Sequence, residues 1–342
     1  MKIAIDAMGG DFAPEQIVEG AVLAAKEYKC HLILVGDQEK INRELKKYST
    51  QGLPLEVLHA SQIITMEESP SKASRDKKDA SIVVATRLVA EGKADAVVSA
   101  GNSGAVMTSA LRYLGRLPGI YRPAIATTIP TQRGFCIVSD VGANSDCKPE
   151  YLVQFAIMAK IAAENILHIK NPKVGLLSIG EEKEKGNHLT KHTSPLLEMH
   201  PDINFIGNVE GRDIPLGTAD VIVCDGFVGN VVLKTMEGTA GSIGRMIKAE
   251  IMKSVLAKFG YLFLHGAIKA LRKKLDYAEY GGAPLLGVGG TCIISHGKSN
   301  AKAMKNAINV ARQFVQHKVN EHIQEQIQHT PKPLRKDQME QH

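Results

Sequence analysis

Short apolar runs rich in β-branched residues recur along this chain, and helical periodicity fills the intervals between them. The runs at 3–6, 32–35, 55–58, 96–99, 125–129, 137–140, 174–178, 203–206, 221–225 and 292–295 predict strands. Segments with apolar positions three and four apart predict helices over 14–28, 80–91, 103–114, 150–165 and 189–199. Continuous apolar strands alternating with helices are the pattern of a largely parallel sheet covered on both faces. The expected fold class is therefore α/β, a three-layer α/β/α sandwich. Residues 1–325 are expected to form one catalytic body, either a continuous sheet or two lobes around one cleft. A flexible tail is expected over 326–342, where His, Gln, Lys and Pro replace the apolar pattern.

The last third departs from this alternation. A long helix is predicted from 228 to about 258 and another from 301 to about 328, and the stretch 255–271 between them is the most apolar of the chain. On an ideal helix Leu256, Phe259, Phe263, Leu264, Ala267 and Leu271 share one face, while Lys258, Lys269, Arg272 and Lys273 gather opposite. Leu262 falls on the polar side, and Gly260 and Gly266 weaken helix propensity. A basic amphipathic insertion at about 240–278 suits an anionic membrane surface, and it equally suits a helix pair packed on a second subunit. Both readings stand.

Composition narrows the class. The 342 residues carry a formal charge of +6, no run of eighteen apolar residues and no room for a signal peptide before the first strand. A cytoplasmic protein is expected. Cys30, Cys136, Cys147, Cys224 and Cys292 show no CxxC spacing, which reads as reduced core thiols and not as a metal site. The cluster Lys72, Arg75, Lys77 and Lys78 and a second over 248–274 suit acidic partners. No basic stripe with interleaved aromatics argues for nucleic acid.

Candidate chemistry lies in glycine-rich turns at strand ends. These are 6–11, with Asp6, Gly9 and Gly10; 99–104, with Asn102 and Ser103; 140–144, with Asp140 and Asn144; 180–187, with Lys185 and Asn187; 225–230, with Asp225 and Asn230; and 295–300, with Ser299. Glycine lets backbone N–H groups approach a ligand, and a helix start favours an anion, so turns converging on one cleft predict a phosphate-type site. The carboxylates could bind Mg²⁺, take a proton, or simply cap helices and hydrogen-bond turns; the asparagines could hold an oxyanion or a phosphate. Several motifs are absent: no GxGxxG follows a strand, Cys292 replaces the first glycine of a P-loop, Ser103 lacks a GxSxG elbow, and Leu189 follows His188 where a zincin has Glu. No metal and no cofactor are expected.

These motifs in this order, continued by 204–212, 280–287 and 295–299, closely resemble the bacterial phosphate acyltransferase family up to about residue 325. The resemblance implies an isocitrate/isopropylmalate dehydrogenase-like fold. It also implies acyl transfer from acyl-acyl carrier protein to inorganic phosphate, giving acyl phosphate for phospholipid synthesis by a membrane-bound glycerol-3-phosphate acyltransferase. A homodimer with peripheral membrane association is implied as well. Lys185 and Asn230 match the family's active-site positions. The chemistry of the turns adds the expectation that Asp225 and Asp140 orient them or take a proton. Two alternatives remain: a phosphotransacetylase-like enzyme using acyl-coenzyme A, and a non-catalytic scaffold that binds carrier protein at a membrane.

Overall fold

The structure, a computed structural model, describes the backbone of residues 1–275 and 279–329 and the side chains of all of these except 271–275. The expected tail beyond 329 and the side chains of Leu271, Arg272 and Lys273 lie outside the described residues. Eleven strands make one sheet: β1 (Lys2–Asp6), β2 (His31–Gly36), β3 (Leu55–His59), β4 (Ala96–Ser99), β5 (Ala124–Thr131), β6 (Gly134–Ser139), β7 (Lys173–Leu177), β8 (Asn204–Val209), β9 (Val221–Val223), β10 (Ala283–Leu286) and β11 (Thr291–Ile294). Their order is β3-β2-β1-β4-β11-β10-β5-β6-β9-β7-β8. The blocks β3 to β11 and β6 to β8 are each parallel, whereas β11/β10, β10/β5 and β5/β6 pair antiparallel. Three reversals in succession make the second parallel block run opposite to the first.

Alternating side chains divide the core between two helical layers. In β1, Ile3 and Ile5 pack with α1 (Glu15–Tyr28) and α11 (Ala301–Gln316), while Ala4 faces α4 (Ser81–Ala90). In β6, Ile137 packs with α6 (Pro149–Ile166) and α12 (Val319–His329), while Cys136 and Val138 turn to the opposite layer. That layer also holds α5 (Ser103–Tyr113), the short α8 (Asp213–Leu216) and the first turns of α9 (Gly226–Lys253), through Val228, Val232, Leu233 and Met236. Three layers result, as the alternation predicts. Further helices are α2 (Gln38–Leu45), α3 (Pro70–Asp76), α7 (His188–Glu198) and α10 (Val255–Leu275).

The long helices are each broken where the sequence reading runs them on. Ser254 is extended, ending α9 at Lys253, and its hydroxyl accepts from the Ala257 N–H to start α10. Lys318, at a φ of 49°, separates α11 from α12, and α12 runs to His329 with Ile327 buried. Beyond their contact with each other, the far part of α9 and α10 leave Met246, Met252, Leu256, Phe259, Phe263 and Leu264 exposed, Phe263 at 90%. Leu262, expected on the polar side, is as open as its neighbours. No helix among the described residues is long and apolar enough to cross a membrane.

Candidate active site

Strand direction sorts the six turns into two sets. After β1, β4 and β11 the turns lie together: the Asp11 N–H donates to Gly297 O, and the Ser295 N–H donates to Ser99 O. Asp6 is buried beneath them and accepts from Ser99 Oγ at 2.7 Å and from the Met8 N–H. Burial pushes its carboxyl above the usual range, against these donors. Gly9 passes so close to Asp6 and Gly101 that a side chain would collide, and Gly10, at a φ of 107°, takes a conformation suited to glycine. Asn102 caps α5 by accepting from the Ala105 N–H, and its amide donates to the carbonyls of Thr65, Met66 and Glu68. Ser299 is buried and paired with Ser295 through their hydroxyls at 2.7 Å. Asp6, Asn102 and Ser299 therefore build the turns, whereas the sequence reading offers them to a ligand. Ser103 is exposed at the start of α5, and its hydroxyl has no partner among the described residues.

The second set follows β6, β7 and β9. Asp140 is fully buried, and its two oxygens accept from the N–H groups of Ile125, Gly142, Ala143 and Asn144 and from Asn144 Nδ2. Burial raises its pKa, opposed by those donors. Asn144 also donates to Pro123 O, and its carbonyl accepts from the Gly226 N–H at 2.7 Å, fixing the start of α9 to the turn. A Cβ on Gly229 would strike the Asp140 carbonyl, so glycine alone lets helix and turn approach this closely. Asp140 and Asn144 are thus the frame of the turn, and the asparagine's amide is engaged.

Other groups point outward. Asp225 caps α9 by accepting from the Val228 N–H at 2.9 Å. Asn230, one turn into α9, is exposed beside Gly142, and its amide has no partner among the described residues. Asn187 caps α7 through its Oδ1 and the Thr190 N–H, leaving its amide nitrogen open. In the turn before it, Lys183 is paired with Glu198 and Glu181 with Arg212. Lys185 is exposed, its stem lies against Gly180, and its ammonium has no partner among the described residues.

An open pocket of about 400 Å³ joins these elements, lined by Ser145–Cys147 at the approach to α6, Asn187 and Leu189 of α7, and Asp225, Phe227 and Val228 of α9. The N-termini of α7 and α9 border it, each with the positive end of its dipole, and neither Lys185 nor Asn230 is among its lining residues. A more enclosed cavity of about 240 Å³ lies between β5, β6 and α6, α11, and it contains none of the candidate residues. Burial, with the charges of Asp140 and Asp225, pushes the Cys147 thiol up to about 12, so this pocket residue is no thiolate at neutral pH. The two sets of turns meet electrostatically at His296 of the first. Burial and the nearby Lys234 of α9 and Lys298 lower its pKa, against Glu237 and Asp11. The sequence reading puts Cys147 in the core with the other four thiols, whereas it is half-buried and lines this pocket; Leu189 and Phe227 have no role in that reading. Apolar residues at helix starts carry no chemical signature until the pocket is seen.

The family model described as fatty acid synthesis protein matches residues 1–322. The chain is 53% identical over 328 residues to the phosphate acyltransferase of Geobacter sulfurreducens, covering 96% of this chain and 94% of that one. It is 54% identical over 331 residues to that of Endomicrobium trichonymphae, covering 96% and 98%. The chain belongs to the phosphate acyltransferase family. Membership makes it an acyltransferase. Its fold is shared with a phosphotransacetylase from Streptococcus pyogenes, at a TM-score of 0.61 and 18% identity over 92% of this chain and 94% of that one.

Proposed function

We propose that this enzyme transfers a long-chain fatty acyl group from acyl-acyl carrier protein to inorganic phosphate, and that the pocket bordered by α7 and α9 holds the phosphate. The observation that carries this reading is the pocket shared by the starts of α7 and α9, with Lys185 two residues before its lining residue Asn187, Asn230 two residues after its lining residue Val228, and neither side chain partnered among the described residues. A phosphate oxygen attacks the thioester carbonyl carbon, a C–O bond forms and the C–S bond breaks. The proton of hydrogen phosphate leaves with the carrier-protein thiol. Phosphate is nucleophilic at neutral pH, so the protein's task is to place it and to stabilise the tetrahedral oxyanion. Lys185 and Asn230 supply charge and N–H donors, Asn187 a further donor, and Asp225 and Asp140 hold α9 and its turn in register. The high Cys147 pKa and the absence, among the described residues, of a hydrogen-bonded base at Ser103 favour direct attack over an acyl-enzyme.

Carrier protein is acidic, and Lys72 and Lys78 stay exposed beside α3, whereas Lys77 is tied to Glu68 and Ile63 O and Arg75 to Asp76. The apolar α9–α10 projection is the second part of the reading. It serves as the surface for a membrane, an acyl chain or a second copy, and keeps a labile acyl phosphate near the membrane-bound acyltransferase that consumes it. Thiol release from long-chain acyl-acyl carrier protein, compared with acyl-coenzyme A, with and without phosphate, tests the reading. Phosphate-dependent release from the carrier-protein donor supports it. Preference for acyl-coenzyme A returns the phosphotransacetylase-like alternative, and carrier binding without release returns the scaffold.

A further inference from the structure

Lys185 stands on a turn whose exposed anchors are weak. The Arg212–Glu181 and Lys183–Glu198 pairs are both solvent-exposed, and such pairs hold a loop poorly. One anchor is different. Asn208, at the edge of the sheet in β8 and only 8% exposed, donates from Nδ2 to the Glu182 carbonyl at 2.9 Å. The same carbonyl accepts from the Lys185 N–H at 3.0 Å, so Asn208 and the Lys185 backbone share one atom. The other half of the amide, Oδ1, is buried without a partner among the described residues.

A half-satisfied amide is a poor choice for stability, since an apolar side chain of that size avoids the orphaned acceptor. Its single bond goes to the turn that carries the lysine. We propose that Asn208 is a positioning residue that fixes the 182–185 turn and thereby sets where the Lys185 ammonium meets phosphate. This rests on the reading of Lys185 as a phosphate ligand. Asn208 touches no substrate itself; it acts through the shared Glu182 carbonyl.

Asn208→Leu keeps the branched shape and removes the donor. In thiol release from long-chain acyl-acyl carrier protein at varied phosphate, it lowers kcat/KM for phosphate by about tenfold, because small misplacements of a reacting group are costly in rate. The KM for the acyl donor stays unchanged and Tm is not lowered. In a Lys185→Ala background the same substitution costs nothing further, since the group it positions is gone. A wild-type phosphate dependence in Asn208→Leu overturns the proposal, as does an equal loss in both backgrounds. If Asn208→Leu does not fold, Asn208→Ala, which also lacks the donor, carries the same expectations for the phosphate dependence. Full activity in Lys185→Ala alone removes Lys185 from the phosphate site, whatever Asn208 does.

Discussion

At the scale of single residues, the site separates groups that hold the backbone from groups that remain available. Asp140 accepts from four backbone N–H groups and one side-chain amide and is fully buried; Lys185 is exposed and has no partner among the described residues. Opposite mutational signatures follow. Lys185→Ala lowers the phosphate-dependent rate by about 100-fold or more, the scale of a lost oxyanion or phosphate donor, with Tm unchanged. Asp140→Ala strands several buried donors and costs about 2–4 kcal/mol of stability before any effect on rate, measurable by denaturant unfolding. The same contrast shows what the sequence could convey here. Family motifs point to Lys185 and Asn230, but a motif displays donors and acceptors without their partners. Asn102, Asn144 and Ser299 read as ligand groups from the motif, and the structure adds that they hydrogen-bond to Thr65, Pro123 and Ser295.

Among elements, the start of α9 and the 140–144 turn act as one unit. Gly229→Ala drives a methyl group into the Asp140 carbonyl, and it is expected to lower both Tm and activity, whereas Gly238→Ala, in open space on the same helix, is expected to do neither. Thermal melts of the two variants check this. At the far end, the Phe259 and Phe263 side chains are exposed, so replacing both by Asp leaves the body folded and is expected to release the enzyme from anionic vesicles, as read by co-sedimentation. The α7–β8 turn supplies a pH dependence. His200 is buried there, and burial lowers its pKa, with Asp202 opposing and Lys160 reinforcing. The folded value lies below the unfolded value of about 6.5, so this contribution is intact above that pH and is lost as pH falls through the window beneath it. His200→Asn, which keeps an acceptor for the Asp202 N–H, is expected to flatten the fall in unfolding free energy between pH 7 and 5.

Across the whole molecule, the layers were legible and the strand directions were not. Apolar runs locate ten of the strands because most of them bury side chains on both faces, but β10 is only Ala283–Leu286, flanked by glycines and containing Pro284, which argues against a central strand. Yet β10 lies in the middle of the sheet, and its pairings supply two of the three reversals that split the turns into two sets. Helix α9 bridges them, from Asp225 and Asn230 at its start to Lys234 and Glu237 facing His296. The most direct test is to incubate long-chain acyl-acyl carrier protein and ¹⁸O-labelled phosphate with the enzyme and follow both products. The expected result is acyl phosphate carrying the label, trapped as the hydroxamate, in step with free carrier-protein thiol. Thiol release at the same rate without phosphate, or no release while carrier protein stays bound, contradicts the account.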